Sequence, residues 1–371
     1  MTDTAAERDL PSTAACARPT AGGVALFSVI AVIGLLLLFA PFVFSDVRST
    51  QVAARICVFV VLAASYDLLI GYTGIVSFAH TMFFGMGAYG AAMGLKFGGA
   101  DWGHLLLGSV GGVLAAAVLA VLIGLLSLRV KALFFAMVTL AAGSVMMVLA
   151  SQLTSLTGGE DGLVYSTPRL FKPAMKLVTN ADGEAARLFG VPLDGRLALY
   201  YFVFIVCLVV FVLLARIVRS PLGTVLEAIR ENELRAEAIG YRVVAYRTAV
   251  FVIAAVAAAV AGVVWAVWLR YTGPDTTLSF DIMIDILLMV VIGGMGTMYG
   301  AIIGVVVMSL AQSYLKDLMS AAAGATSGVP ILPHLLDPDR WPLWLGLLFI
   351  LLVLFFPAGI AGTLMKKGSR S

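Results

Sequence analysis

Apolar positions in this chain come in long runs rather than in the spaced stripes of a water-soluble fold. Runs at about residues 24–44, 54–71, 75–95, 105–128, 132–150, 199–218, 248–269, 283–316 and 341–358 approach or exceed the ~20 residues a helix needs to cross a bilayer. The run 283–316 is too long for one span and is interrupted at Gly293-Gly294-Met295-Gly296-Thr297, so it reads as two crossings joined by a tight turn. The run 75–95 follows a turn-like Gly71-Tyr72-Thr73-Gly74 and is itself punctuated by Gly85, Gly87, Gly90 and Gly94. The pattern predicts an all-α polytopic membrane fold of about ten transmembrane helices with glycine-broken spans.

One stretch departs from this pattern. Between Arg219 and Arg247 stand five arginines and four glutamates (Glu227, Glu231, Glu233, Glu237). Ser220-Pro221 has the form of an N-cap and first helical position. Leu222, Val225, Leu226 and Ile229 follow at i, i+3, i+4, i+7, one apolar stripe of a helix. Asn232 can cap a second short helix carrying Leu234, Ala238 and Ile239, and Gly240 stands where it would stop. Two short amphipathic helices at a membrane surface must cover something. A headgroup-facing loop is the plain alternative, but four carboxylates would be repelled by anionic lipid. The stretch is therefore expected to dock a partner.

Composition fits the pattern: of 371 residues 61% are hydrophobic and 12% charged, against about 25% charged in soluble domains. The expected organisation is a polar, disordered tail at 1–22, one transmembrane unit at 23–365, and a short basic tail at 366–371. Within the unit lie a long polar insert at 151–198 and the polar loop at 219–247. Basic residues favour the cytoplasmic side. Placing 219–247 there also places Arg129, Lys131, Arg8, Arg18 and Lys366, Lys367, Arg370 inside, with both termini cytoplasmic, provided 283–316 crosses twice. The insert then faces outward despite its Arg169, Lys172, Lys176, Arg187 and Arg196. Cys16, Cys57 and Cys207 form no disulfide framework.

Chemistry-bearing motifs are few. GMGAYG at 85–90 matches G-x-G-x-x-G but follows no strand and lies in a span, so close helix packing explains it better than a nucleotide. A weak echo at Gly294–Gly300 suggests two related halves, with close packing again the simpler account. No phosphate-binding loop occurs; if ATP drives this chain, another chain binds it. His80, His104 and His334 are far apart, and neither a metal nor a catalytic cluster is apparent. No cofactor and no nucleic-acid partner is expected. Ionisable groups in spans are costly and point to an interior or a wet path. Asp67 and His80 are candidates of that kind, and Asp281 and Asp285 stand at the mouth of the eighth span.

The residues then carry a resemblance. GYTGIVSFAHTMFFGMGAYG (71–90), LTGGEDGL (156–163), SPLGTVLEAIRENELRAEAIG (220–240) and VVIGGMGTMYGAIIG (290–304) resemble the permease subunits of branched-chain amino acid ABC importers, in particular the M-type subunit of the leucine/isoleucine/valine system. The likeness runs from about 55 to 360; Phe78-Ala79 stand where the family usually has leucine-glycine. It implies a permease, not an enzyme, in the bacterial inner membrane. Its implied partners are two ATPase subunits, a second related permease, a periplasmic substrate-binding protein, membrane lipid and a small amino-acid substrate. Coupling to the ATPases is expected through Leu226, Ile229, Leu234 and Ile239, with Arg230 and Glu233 as polar contacts and Gly240 ending the pair. Ser77, His80, Thr81 and Tyr89 are the expected translocation-path residues. Related permeases carry urea, short amides or aromatic acids, and an ion-coupled secondary transporter is the alternative of another class.

Overall fold

A computed structural model describes residues 21–44, 46–127, 132–176, 187–188, 191–325, 337–356 and 358–367. The expectations for the N-terminal tail with Arg8, Cys16 and Arg18, for Arg129 and Lys131, for His334 and for Arg370 lie outside the described residues.

The chain is a helical bundle. Its helices are α1 (Ala21–Val43), α2 (Val47–Thr73), α3 (His80–Met93), α4 (Trp102–Ser127), α5 (Ala132–Gln152), α6 (Thr154–Thr157), α7 (Gly195–Val218), α8 (Pro221–Glu231) and α9 (Glu233–Ala238). Then follow α10 (Val243–Leu269), α11 (Pro274–Thr277), α12 (Phe280–Gly293), α13 (Met298–Ala325), α14 (Trp341–Phe355) and α15 (Gly359–Lys367). Two-residue strands β1 (Leu163–Val164), β2 (Arg187–Leu188), β3 (Val191–Pro192) and β4 (Tyr271–Thr272) pair antiparallel as β1–β4 and β2–β3. Nine candidate spans are long and apolar enough to cross a membrane among the described residues. The chain is a multi-pass membrane protein.

One helix falls short of a full crossing. α12 has 14 residues, about 21 Å at 1.5 Å per residue against a ~30 Å hydrocarbon core, and α3, also of 14 residues, runs on without a break into a π-helical segment, Gly94–Gly98. Non-helical segments precede both: residues 74–79 lead into α3, and residues 270–279, carrying β4 and α11, lead into α12. Phe78 of the first lead-in lies 6.1 Å, ring to ring, from Phe280, the exposed first residue of α12. Backbone without a helix's own hydrogen bonds is tolerated at this depth because protein, not lipid, surrounds it.

The arrangement repeats. α2, α3 and α4 (27, 14 and 26 residues) match α10, α12 and α13 (27, 14 and 28) in order and length. Packing is exchanged between the sets: α10 lies on α3 and α4, α2 lies on α12 and α13, and α2 lies on α10. The start of α2 and the end of α10 border the same cavity, so the two sets run in opposite senses. Helix order and opposite sense are the pattern of an inverted repeat. Counting α3 and α12 each with its lead-in segment gives ten crossings, with 270–293 and 298–325 as two of them. The glycine echo itself does not superpose. Gly85, Gly87 and Gly90 lie inside α3, where a Cβ on Gly87 would strike the Ala259 carbonyl of α10, whereas Gly294 and Gly296 form the α12–α13 turn. That contact accounts for the fingerprint-like GMGAYG as packing.

The polar insert is tied to the second lead-in segment. β1 pairs with β4 in the register Leu163↔Thr272. The Tyr165 hydroxyl donates to the Ala266 carbonyl (2.9 Å) and is 2.8 Å from the Thr272 hydroxyl oxygen; burial raises its pKa above the ordinary phenol value.

Candidate functional site

Three features carry polar chemistry: the α8–α9 platform, the junction beneath it, and a cavity on the opposite face.

The platform forms as the sequence pattern dictates. Pro221 begins α8, and Asn232 caps α9 by accepting from the Arg235 amide at 3.0 Å. The Ser220 hydroxyl makes no cap bond; it donates back to the Ile217 carbonyl at 2.6 Å. The α8 stripe turns inward. Leu226 and Ile229 are buried, Leu226 in the main core and Ile229 with Ala236 and Val243. These two residues therefore seat α8 on its own chain. An amphipathic stripe beside a membrane bundle covers that bundle first. Leu234 and Ile239 are 79% and 71% exposed, while Gly240 ends the pair at φ +102. Glu233 is held by Arg247 through two bonds of 2.6 and 3.1 Å. The outer face is left with Leu234, Ile239 and Tyr241 among Glu227, Glu231 and Glu237.

Arg230 joins this platform to the bundle. Its guanidinium donates to the Gly71 carbonyl at the end of α2 and lies beside Gly296 in the α12–α13 turn. Asp67, fully buried one turn before Gly71, accepts from the Gly296 amide at 2.8 Å. Gly296 has φ +78, a conformation natural to glycine. One arginine of α8 thus contacts both the α2–α3 break and the α12–α13 turn.

The expected path residues lie elsewhere and face no opening. Ser77, His80, Thr81 and Tyr89 are all buried. The Ser77 hydroxyl oxygen accepts from the Ala79 amide at 3.3 Å. The Ser65 hydroxyl lies 2.9 Å from the Leu62 carbonyl and 2.8 Å from His80 Nε2, and His80 Nδ1 is buried without a partner among the described residues. The Tyr89 hydroxyl has no partner among the described residues. In this conformation the four are interior packing on α3 and its lead-in.

The opening is on the other side of α2. A cavity of about 770 Å³ lies between α1, α2, α7, α10 and α13, with Arg55, Gln312, Tyr200, Trp265 and Trp268 among its walls. It opens on the face opposite α8–α9, where Arg48, Arg196, Arg270 and Asp194 stand at the rim and Arg48 pairs with Asp317. Burial first, and the neighbouring Arg196 second, lower the Arg270 guanidinium below its ordinary pKa. The sequence pattern missed Arg55 because the second apolar run opens at about residue 54, which leaves Arg55 at its edge. The helix begins at Val47, which puts Arg55 two turns inside it. A lone arginine in an apolar run was the available signal.

The family described as branched-chain amino acid transport system, permease component, matches residues 49–358. Three curated relatives match. The high-affinity branched-chain amino acid transport system permease protein LivM of Salmonella typhimurium is 26% identical over 306 residues, covering 81% of this chain and 71% of that protein. Its namesake in Escherichia coli is 24% identical over 328 residues, covering 86% and 76%. The probable branched-chain amino acid transport permease protein LivM of Methanocaldococcus jannaschii is 26% identical over 160 residues, covering 43% and 45%. No solved structure gives a significant match.

Proposed function

Because the chain belongs to the permease-component family of branched-chain amino acid transport systems, we propose that it forms half of the membrane channel of an ATP-driven importer of leucine, isoleucine and valine. A second, related permease completes the channel, and a pair of ATPase subunits powers it. A binding protein delivers the amino acid to the rim of Arg48, Arg196 and Arg270. The bacterial inner membrane holds the complex with both termini in the cytoplasm, and one transmembrane unit does the work.

The observation that carries the coupling role is the exposure of Leu234 and Ile239 on a platform whose aliphatic anchors Leu226 and Ile229 are buried against its own bundle. Two bare aliphatic side chains among carboxylates suit a groove on a soluble partner, since isolated apolar anchors in a polar rim are how interfaces concentrate their energy. Arg230 gives such docking a route inward, because its guanidinium touches both broken-helix junctions.

The test is co-purification with function. The tagged chain, extracted in mild detergent, is expected to bring a second permease and ATPase subunits, and cells carrying it to take up branched-chain amino acids. Leu234→Asp is expected to reach the membrane in normal amount, to lose the ATPase subunits and to abolish uptake. Normal uptake by that variant overturns the docking role. Uptake that survives ATP depletion overturns the importer itself.

A further inference from the structure

Arg55 and Gln312 line the cavity, and Asp285 of α12 stands behind Gln312; the coupling mechanism uses none of the three. At the cavity base Arg55 of α2 reaches Gln312 of α13, with Nη2 donating to Oε1 at 2.7 Å. Gln312 Nε2 in turn donates to Asp285 Oδ1 of α12 at 2.9 Å. Arg55 and Asp285 themselves stand 4.0 Å apart, with side-chain exposures of 31% and 23%. That separation is wider than a closed charge-assisted bond of about 2.7–2.9 Å. Among the described residues the guanidinium makes one hydrogen bond and lies over the Phe59 ring at 5.1 Å, so most of its five donors remain for a ligand. Asp281, exposed one turn earlier on α12, extends the polar track.

Depth gives this arrangement meaning. Arg55 lies eight residues along α2 from Val47, about 12 Å below its start. A cation and a carboxylate at that depth are costly unless they line a wet path. The helices that supply them, α2, α12 and α13, pack on one another and belong to both repeats, and transporter sites form at such an interface near the midplane. The wall beside the charges is aromatic. Trp265 stands edge-on to Phe59 at 5.8 Å, and its indole N–H is buried without a partner among the described residues. The volume of about 770 Å³ falls within the ~300–1,000 Å³ of small-molecule sites.

Resting on the importer reading above, we propose that this cavity binds the free zwitterion of an apolar α-amino acid. Arg55 takes the α-carboxylate, the Gln312 amide oxygen, its side chain held by Asp285 behind it, takes the α-ammonium, and the Trp265–Tyr200 wall takes the side chain. The opposite charges 4.0 Å apart suit a ligand whose ammonium and carboxylate are borne on one carbon, and the ligand completes the pair instead of breaking it. The cavity opens away from the platform, and the Asp67–Gly296 contact lies on the platform side. Release toward that side requires the α2–α12–α13 packing to part.

The experiment compares three ligands on the intact complex in lipid nanodiscs without binding protein: L-leucine, L-leucinamide lacking the carboxylate, and 4-methylpentanoate lacking the amine. Arg55→Gln is expected to weaken leucine binding at least tenfold and to leave leucinamide within about twofold, as loss of a bidentate carboxylate clamp requires. Asp285→Asn is expected to weaken leucine and leucinamide but not 4-methylpentanoate. Arg55→Lys keeps the charge and the fold, and is expected to lose leucine affinity by about tenfold because an ammonium cannot clamp bidentately. No saturable leucine binding to the unaltered complex, equal losses for all three ligands, or unchanged leucine affinity in Arg55→Lys each overturns the site, the last even if Arg55→Gln fails to assemble. A complex that transports leucine while the Arg55 variants bind it normally sinks the site alone; a complex that transports no branched-chain amino acid sinks the importer reading.

Discussion

Leu226 and Leu234 sit eight residues apart in the same polar loop, and their environments are opposite. Leu226 is fully buried against the bundle, and Leu234 is 79% exposed. Aspartate at 226 would place an unpaired carboxylate in an apolar contact, costing several kcal/mol. The Leu226→Asp chain is expected to be lost to aggregation or degradation, read as a missing monodisperse peak in fluorescence-detected size exclusion. Leu234→Asp is a surface change worth about ±0.5 kcal/mol and should elute as the unaltered chain does. Similar elution of the two variants would mean that α8 does not seat as described. The i, i+3, i+4, i+7 stripe was legible in the sequence, but not what it covers, because periodicity marks an apolar face without naming its neighbour. The neighbours of Ser77, His80, Thr81 and Tyr89, all buried, were illegible for a related reason. A histidine between hydroxyl residues in a span resembles a wet pathway, yet Ser65, one of its partners in the fold, lies on another helix. Arg55 carried the stronger signal, hidden at the edge of its apolar run.

Among the elements, the breaks were legible and their use was not. Glycine clusters marked the end of α2 and the α12–α13 turn. That both breaks meet Arg230 depends on packing between residues far apart in the chain, 159 positions for Arg230 and Gly71, which no local pattern encodes. The link makes the α12–α13 turn testable. Alanine at Gly296 must adopt φ +78, a left-handed conformation costing about 1–2 kcal/mol. Its Cβ would also lie 3.0 Å from the Arg230 guanidinium. The fold should tolerate this, but Arg230 should be displaced from the turn. Gly296→Ala is expected to keep its ATPase subunits while transporting fewer amino acids per ATP hydrolysed. An unchanged ratio of uptake to hydrolysis would remove the turn from the coupling route.

At the scale of the molecule, the inverted repeat and the cavity rim make a statement about direction. The platform and the β1–β4 pairing lie at opposite ends of the bundle: α8 and α9 join the end of α7 to the start of α10, and β4 follows the end of α10. α10 has 27 residues, about 40 Å at 1.5 Å each, so those ends sit on opposite sides of a bilayer. The ten crossings counted from the sequence put the platform inside, by the excess of arginine in its loop. Single introduced cysteines can settle this. Leu234 and Val164 are exposed, at 79% and 66%, whereas the native Cys57 and Cys207 are buried and should react slowly, with Cys16 replaced by serine. In intact spheroplasts a membrane-impermeant maleimide is expected to label Val164→Cys and to spare Leu234→Cys. In inside-out vesicles the two should exchange. Labelling of both from one side would mean that α10 does not cross, and the repeat would lose its central member. Labelling in the reverse order would turn the molecule over. The cavity would then open to the cytoplasm, and the chain would be built to load its amino acid from within.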